Sequence, residues 1–231
     1  MTLLFKPLAP VLAPTSTGED FPVRRVFCVG RNYAAHAREM GFDPDREPPF
    51  FFTAWAETVV PLGGPVAYPP ATNNYQFEAE LVLAIGKGGR NIALDDALDH
   101  VWGYAAGLDM PRRDLQLEAR KMGRPWDTGK NFEQGSPLGR IHKADGSFNP
   151  DRGAIRLTVN GQVKQAADLA DMIWPAADVI RFLSGLYRLE PGDLIYTGTP
   201  EGVGPVVVGD TVEVHIDGLE PLAIAITASA Q

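Results

Sequence analysis

Two acids two positions apart, Glu78 and Glu80, open the stretch Tyr75 to Gly86, whose second half (Leu81 to Ile85) is a continuous apolar run ended by glycine. In a strand, residues i and i+2 project from one face, so the spacing predicts two carboxylates side by side at the mouth of a buried strand. Like charges that close repel, and burial strengthens the repulsion unless a proton or a cation lies between them. A third acid, Asp109, follows another apolar segment, Val101 to Ala106. Three carboxylates suit a hard divalent cation such as Mg²⁺, which binds carboxylate oxygens and keeps water positions open. The Glu-x-Glu spacing by itself also describes a solvated strand edge.

A second constellation is His36 with Glu39, at i and i+3 in a segment with a helix-start residue, Asn32, and a helix-stop residue, Gly41. On one helix face a carboxylate raises the basicity of an imidazole and orients it, as general base catalysis requires. A solvated surface pair has the same spacing. The third is a basic window: residues 112 to 130 carry Arg112, Arg113, Arg120, Lys121, Arg124 and Lys130 against three acids, a net +3 inside a chain of net −8. Such a patch on an acidic protein suits a small anionic ligand and argues against nucleic acid as a partner. Within it Arg113, Gln116 and Arg120 repeat at i, i+3 and i+7 and could line one polar edge of a helix. Lys130, between glycine and Phe132, could hold an anion or lie exposed.

The elements that must position these residues are short. Twenty-four Gly and 20 Pro in 231 residues predict many turns between strands. Strands are predicted at 24–29, 50–53, 57–61, 65–68, around the Glu78 run, at 211–216 and 222–227, and 192–204 is predicted as a strand running into a glycine-rich loop. Asn160-Gly161 predicts a hairpin joining 155–160 to 161–165. Helices are predicted at 32–41, 94–100, 113–122 and 175–186, the last opened by Pro175. The short helix at 32–41 and the charged, proline-rich loop from Asp43 to Pro49 are predicted to form a mobile lid. Residues 1–20, proline-broken and then polar, are predicted to be a loosely held leader, and 21–231 one domain. No apolar run reaches membrane-spanning length, and Pro7, Pro10 and Pro14 argue against a signal peptide. The lone Cys28 leaves no internal disulfide and fits a reducing, cytoplasmic compartment.

Taken in order, several of these motifs resemble the fumarylacetoacetate hydrolase family. They are Gly30-Arg31-Asn32-Tyr33 with His36 and Glu39, Glu78-x-Glu80, Gly107-x-Asp109 with Arg113-Asp114, Gly129-Lys130-Asn131-Phe132, and Thr197-Gly198-Thr199-Pro200 running to Gly204. Met110 to Gln116 and Gly123 to Asp127 resemble its acylpyruvate hydrolases in particular. The resemblance covers about residue 23 onward. It implies an α+β fold, a β-rich roll with short helices and a helical lid, and a homodimer carrying Mg²⁺ or Mn²⁺. By resemblance Glu78, Glu80 and Asp109 are the metal ligands, and His36, Glu39 and Lys130 are catalytic. Arg31, Arg113, Gln116 and Thr199 are then substrate contacts. One departure stands out: Ala54-Trp55 occupy the place where the family commonly has Lys-Pro.

The implied reaction is hydrolysis of a C–C bond in a 2,4-dioxo acid, fumarylpyruvate foremost, as in aromatic (gentisate) catabolism. Water activated by His36 and Glu39 attacks the distant acyl carbonyl and pyruvate leaves as its enolate. Decarboxylation of oxaloacetate passes through the same enolate, so an oxo-acid decarboxylase or isomerase is the alternative. An inactive metal-binding homologue is a further one.

Overall fold

The run from Leu81 to Ile85 is uninterrupted by polar residues because the strand that contains it is buried on both sides. Leu81, Leu83 and Ile85 join the larger hydrophobic cluster, while Val82 and Ala84 join the smaller one. The structure, a computed structural model, describes residues 3–6, 8–39 and 48–229. The helix stop expected at Gly41 and the loop expected at 43–49, apart from Pro48 and Pro49, lie outside the described residues.

In chain order the strands are β1 (Leu12–Pro14), β2 (Asp20–Pro22), β3 (Arg25–Gly30), β4 (Phe50–Ala54), β5 (Val59–Pro61) and β6 (Gly64–Ala67). They continue with β7 (Gln76–Phe77), β8 (Ala79–Ile85), β9 (Val101–Leu108), β10 (Ser136–Leu138), β11 (His142–Lys143), β12 (Ala154–Val159) and β13 (Gln162–Asp168). The last are β14 (Asp193–Tyr196), β15 (Gly204–Pro205), β16 (Thr211–Ile216) and β17 (Leu222–Thr227). Four α-helices are described: α1 (Ala34–Glu39), α2 (Arg113–Lys121), α3 (Asp127–Lys130) and α4 (Ala176–Leu186).

A mixed, eight-stranded sheet runs β4-β3-β14-β8-β9-β10-β5, with β11 also paired to β9, and a five-stranded sheet runs β13-β12-β16-β17-β6. Along β12 and β16, Ile155, Leu157, Val212, Val214 and Ile216 turn inward to share the larger cluster with Leu81 and Leu83 of β8. Helix α4 closes that cluster with Val179, Ile180 and Leu183, its apolar residues recurring at helical spacing. The α+β, β-rich architecture matches the expectation. The hairpin at Asn160-Gly161 forms with both residues at positive φ, 50° and 77°, the conformation its two-residue turn requires.

Three local expectations need correction. The loose leader does not extend to residue 20. Strands β1 and β2 pair antiparallel, and Ala13 and Thr15 are buried, because Ala13 and Phe21 fill the smaller cluster against Val26 and Tyr196. The segment Leu94–His100 is helical as expected, but as a 3₁₀ helix. Asn32 also does something other than start α1. Its buried side chain donates from Nδ2 to the carbonyls of Trp174 (2.9 Å) and Thr197 (2.8 Å) and accepts from the Trp174 N–H (2.7 Å). One amide thus joins β3, the segment before α4 and the loop after β14.

Asn32→Ala strands three backbone groups at once, one buried and two part-buried. At about 1–3 kcal/mol per unpaired group, partly relieved by relaxation, the loss of unfolding free energy should be about 3 kcal/mol. Urea titration of the two proteins checks this; a loss below ~1 kcal/mol would mean the amide is not the tie described.

Candidate active site

Two of the acids flank the start of β8, and the third follows its neighbour β9. Glu78 stands in the break between β7 and β8, Glu80 lies within β8, and Asp109 follows β9. The β8–β9 pairing places Ala79 opposite Leu108, and Asp109 N–H donates to the Glu78 carbonyl at 3.0 Å. Ligand oxygens of Glu78, Glu80 and Asp109 consequently lie within 4.8 Å of one another, and all three residues are buried.

Two cations enter this cluster from the following segment. Arg113, at the start of α2, holds Glu78 Oε1 through Nη2, Gln76 Oε1 through Nε (2.8 Å) and Gln116 Oε1 through Nη1 (2.6 Å). Lys130, at the end of α3, places Nζ 2.5 Å from Glu78 Oε2 and 2.6 Å from Asp109 Oδ2. Helix α3 can approach α2 because residue 129 is glycine; a Cβ there would stand 2.7 Å from the Gln116 backbone nitrogen. Glu80 has a different partner, the Gly198 N–H, which donates to its Oε2 at 2.7 Å. Gly198 adopts φ +98°, and a Cβ there would lie 2.7 Å from Asn32 Cβ, so the loop can present this N–H only with glycine.

Three carboxylates face two cations, which leaves one negative charge without a counter-charge. The carboxyl groups register the imbalance. Burial pushes Glu78 up, but Lys130 and Arg113 more than offset that and hold it at about 2. Burial raises Asp109 to about 6 although Lys130 opposes the shift. Burial, then repulsion from Asp109 and Glu78, drives Glu80 well above the ordinary carboxylate range. Three buried oxygen donors short of one positive charge fit a hard divalent cation such as Mg²⁺ or Mn²⁺.

The cluster opens into a cleft. Every candidate residue from the sequence lines it except Glu39: Arg31, His36, Glu78, Glu80, Asp109, Arg113, Gln116, Lys130 and Thr199. Glu39 stands behind, its Oε2 3.2 Å from Nδ1 of the buried His36 while its own side chain is more exposed. Arg120, the i+7 member of the polar edge on α2, lines the cleft as well. Arg31 adopts φ +59°, rare for a residue with a side chain, and its guanidinium lies 4.9 Å over the Phe50 ring.

A family model described as "Fumarylacetoacetate (FAA) hydrolase C-terminal" matches residues 25–227. The chain belongs to the fumarylacetoacetate hydrolase family. Among its relatives, a fumarylpyruvate hydrolase from a Ralstonia species is 50% identical over 184 residues, 80% of this chain and 95% of that protein. The human mitochondrial oxaloacetate tautomerase is 39% identical over 199 residues, 85% of this chain and 88% of that one. The crystal structure of fumarylpyruvate hydrolase from Pseudomonas aeruginosa, in complex with Mn²⁺ and pyruvate, superposes with a TM-score of 0.96. It is 51% identical to this chain, and the match covers 99% of this chain and all of that one.

Against the family pattern, the missing lysine at position 54 leaves the cleft's own cations in place. Ala54 is buried in the smaller cluster, Trp55 is exposed, and neither lines the cleft, whereas Arg31, Arg113, Arg120 and Lys130 do. Two features escaped sequence reasoning. The aromatic walls Phe50, Phe52 and Trp126 come from β4 and the α2–α3 connection, a contact that no local pattern encodes. Gln165, 1% exposed, accepts from Ala79 N–H (3.0 Å) and donates from Nε2 to Thr199 Oγ1 (2.9 Å) and the Pro200 carbonyl (2.8 Å). It is turned inward beside a register shift in which Leu157 faces Gln165 and Thr158 faces Val163.

The charge deficit has a measurable consequence. Because Asp109 (about 6) and Glu80 both stand above ordinary carboxylates, their contribution to metal-free stability is present at low pH and lost as pH rises through about 6. The gain from added Mn²⁺ should therefore grow from pH 5 to pH 7. At a hundredfold excess over Kd it should reach about 2.7 kcal/mol, roughly 5–10 °C in Tm. A shift equal at both pH values, or no shift, would count against this charge balance.

Proposed function

We propose that this chain is a divalent-cation-dependent hydrolase that splits acylpyruvates, fumarylpyruvate foremost, into a carboxylic acid and pyruvate. The observation that carries the reading is that one cleft joins the buried three-carboxylate cluster to the His36–Glu39 pair and to four cationic side chains. The likeness to fumarylpyruvate hydrolases supports it, and the setting would then be aromatic (gentisate) catabolism. Glu78, Glu80 and Asp109 would hold Mg²⁺ or Mn²⁺. When bound, the ion supplies Lewis acidity that polarises the 2-oxo group of the substrate and stabilises negative charge there.

The protein's own groups divide the remaining work. With Nδ1 directed at Glu39, His36 keeps Nε2 as the base, and Glu39 stabilises the imidazolium that forms. The proton leaves water for Nε2, the oxygen attacks the C4 carbonyl, and the C3–C4 bond breaks. Its electron pair forms the pyruvate enolate, which takes a proton at C3. Gln116 has its carbonyl oxygen fixed by Arg113, which leaves its amide N–H groups to donate to substrate oxygen. Thr199 Oγ1 already accepts from Gln165, so its hydroxyl proton is available for the same purpose. Lys130 sits against Glu78 and Asp109 and offsets their charge where substrate and cation meet. Helix α1, described over six residues, brings His36 to the cleft with Glu39 behind it, and it would serve as a lid.

A second reading rests on the 39% identity to an oxaloacetate tautomerase and 37% to an oxaloacetate decarboxylase from Dictyostelium discoideum. Loss of CO₂ from oxaloacetate yields the same three-carbon enolate, so the cluster would serve either reaction.

Pyruvate release with Mn²⁺ or Mg²⁺ separates the readings: fumarylpyruvate should be consumed with a higher kcat/KM than oxaloacetate. His36→Ala, Glu39→Ala and the double variant should each lose activity by a similar factor, about 10²–10⁴, since either change disables one base. Faster turnover of oxaloacetate would give the function to the decarboxylase reading, and additive losses would separate His36 from Glu39.

A further inference from the structure

Fumarylpyruvate carries two carboxylates, and the cleft must receive the one farthest from the metal cluster. We infer that Arg120 is the cation that receives it, making the cleft a site for seven-carbon dianions; this rests on the acylpyruvate reading above and names the substrate end that it leaves open.

The basic window offers three arginines beyond Arg113. Arg112 turns away, its guanidinium 4.2 Å over the Phe132 ring and Nη1 donating to the Thr128 carbonyl. Arg124 lines a neighbouring groove with Thr53 and Tyr187 and does not line the cleft. Arg120 does line it.

Position along α2 adds a length. Arg113 grips Glu78 at the metal end, and Arg120 stands seven residues later, two turns along the same face. At 1.5 Å per residue the two Cα atoms are about 10 Å apart along the axis. In fumarylpyruvate six bonds separate the carboxyl carbons, and an extended chain advances roughly 3.5 Å per three bonds, so they lie roughly 7 Å apart. The two lengths are of the same order. Leu117 on α2, together with Phe50, Phe52 and Trp126, gives the cleft apolar walls, suited to the uncharged alkene of the chain. A shorter diacid such as oxaloacetate ends before it reaches Arg120.

The test uses stable ligands, so it does not depend on turnover. 2-Oxoheptanedioate has the 2-oxo acid head and a carboxylate six bonds away but lacks the C4 carbonyl that hydrolysis needs; 2-oxoheptanoate lacks the far charge. Calorimetric titration of the Mn²⁺-loaded protein should give the diacid an advantage on the order of 10- to 150-fold, as expected for a charged hydrogen-bonded pair. Arg120→Gln should bring the two affinities together, Arg120→Lys should restore part of the gap, and Arg124→Gln should keep all of it. No advantage in the unsubstituted protein, an advantage that survives in Arg120→Gln, or one that disappears only in Arg31→Gln overturns the inference. If the advantage depends on Arg120 but no acylpyruvate is hydrolysed, the subsite stands and the hydrolase reading falls.

Discussion

The repulsion among Glu78, Glu80 and Asp109 is the constraint on which the site depends. Three buried carboxylates whose ligand oxygens lie within 4.8 Å of one another are unfavourable unless cations and N–H donors surround them. The fold meets that demand from four separate elements. Arg113 arrives on α2 and Lys130 on α3, Gly198 donates its N–H from the loop after β14, and the β8–β9 ladder fixes the spacing of the acids themselves. The partial neutralisation is itself informative. It stops one positive charge short, and that shortfall is what would make the cluster a receptor for a cation.

Distant contacts keep those four elements in register. Asn32 binds the backbone at Trp174, before α4, and at Thr197, after β14, and packs against the glycine whose N–H serves Glu80. Gln165 links the start of β8 to Thr199 in a similar way. Both are uncharged amides that use donor and acceptor at once. They can therefore be buried without adding to the electrostatic imbalance beside them.

Much of this was legible in the sequence where the chemistry is local. Glu78, Glu80 and Asp109 were identifiable because each borders an apolar run that only burial explains, and Arg113, Gln116 and Arg120 because helical spacing puts them on one edge. The apolar walls were not, since Phe50 and Trp126 meet only through tertiary packing, ring centroids 5.3 Å apart. Asn32 read as a helix start because such residues usually serve nearby backbone, yet its partners lie 142 and 165 residues away. Gln165 looked like an ordinary strand residue, because a register shift cannot be read from alternation. The sequence left Lys130 open between an anion holder and an exposed residue. The close α2–α3 approach at Gly129 buries it against two acids.

The central claim is that the three carboxylates together bind one divalent ion. Anomalous diffraction from crystals grown with Mn²⁺ tests it most directly. The account predicts a single strong peak among Glu78, Glu80 and Asp109, about 2.0–2.3 Å from an oxygen of each. An empty cluster at saturating Mn²⁺, or a peak touching only one of the three, would contradict it.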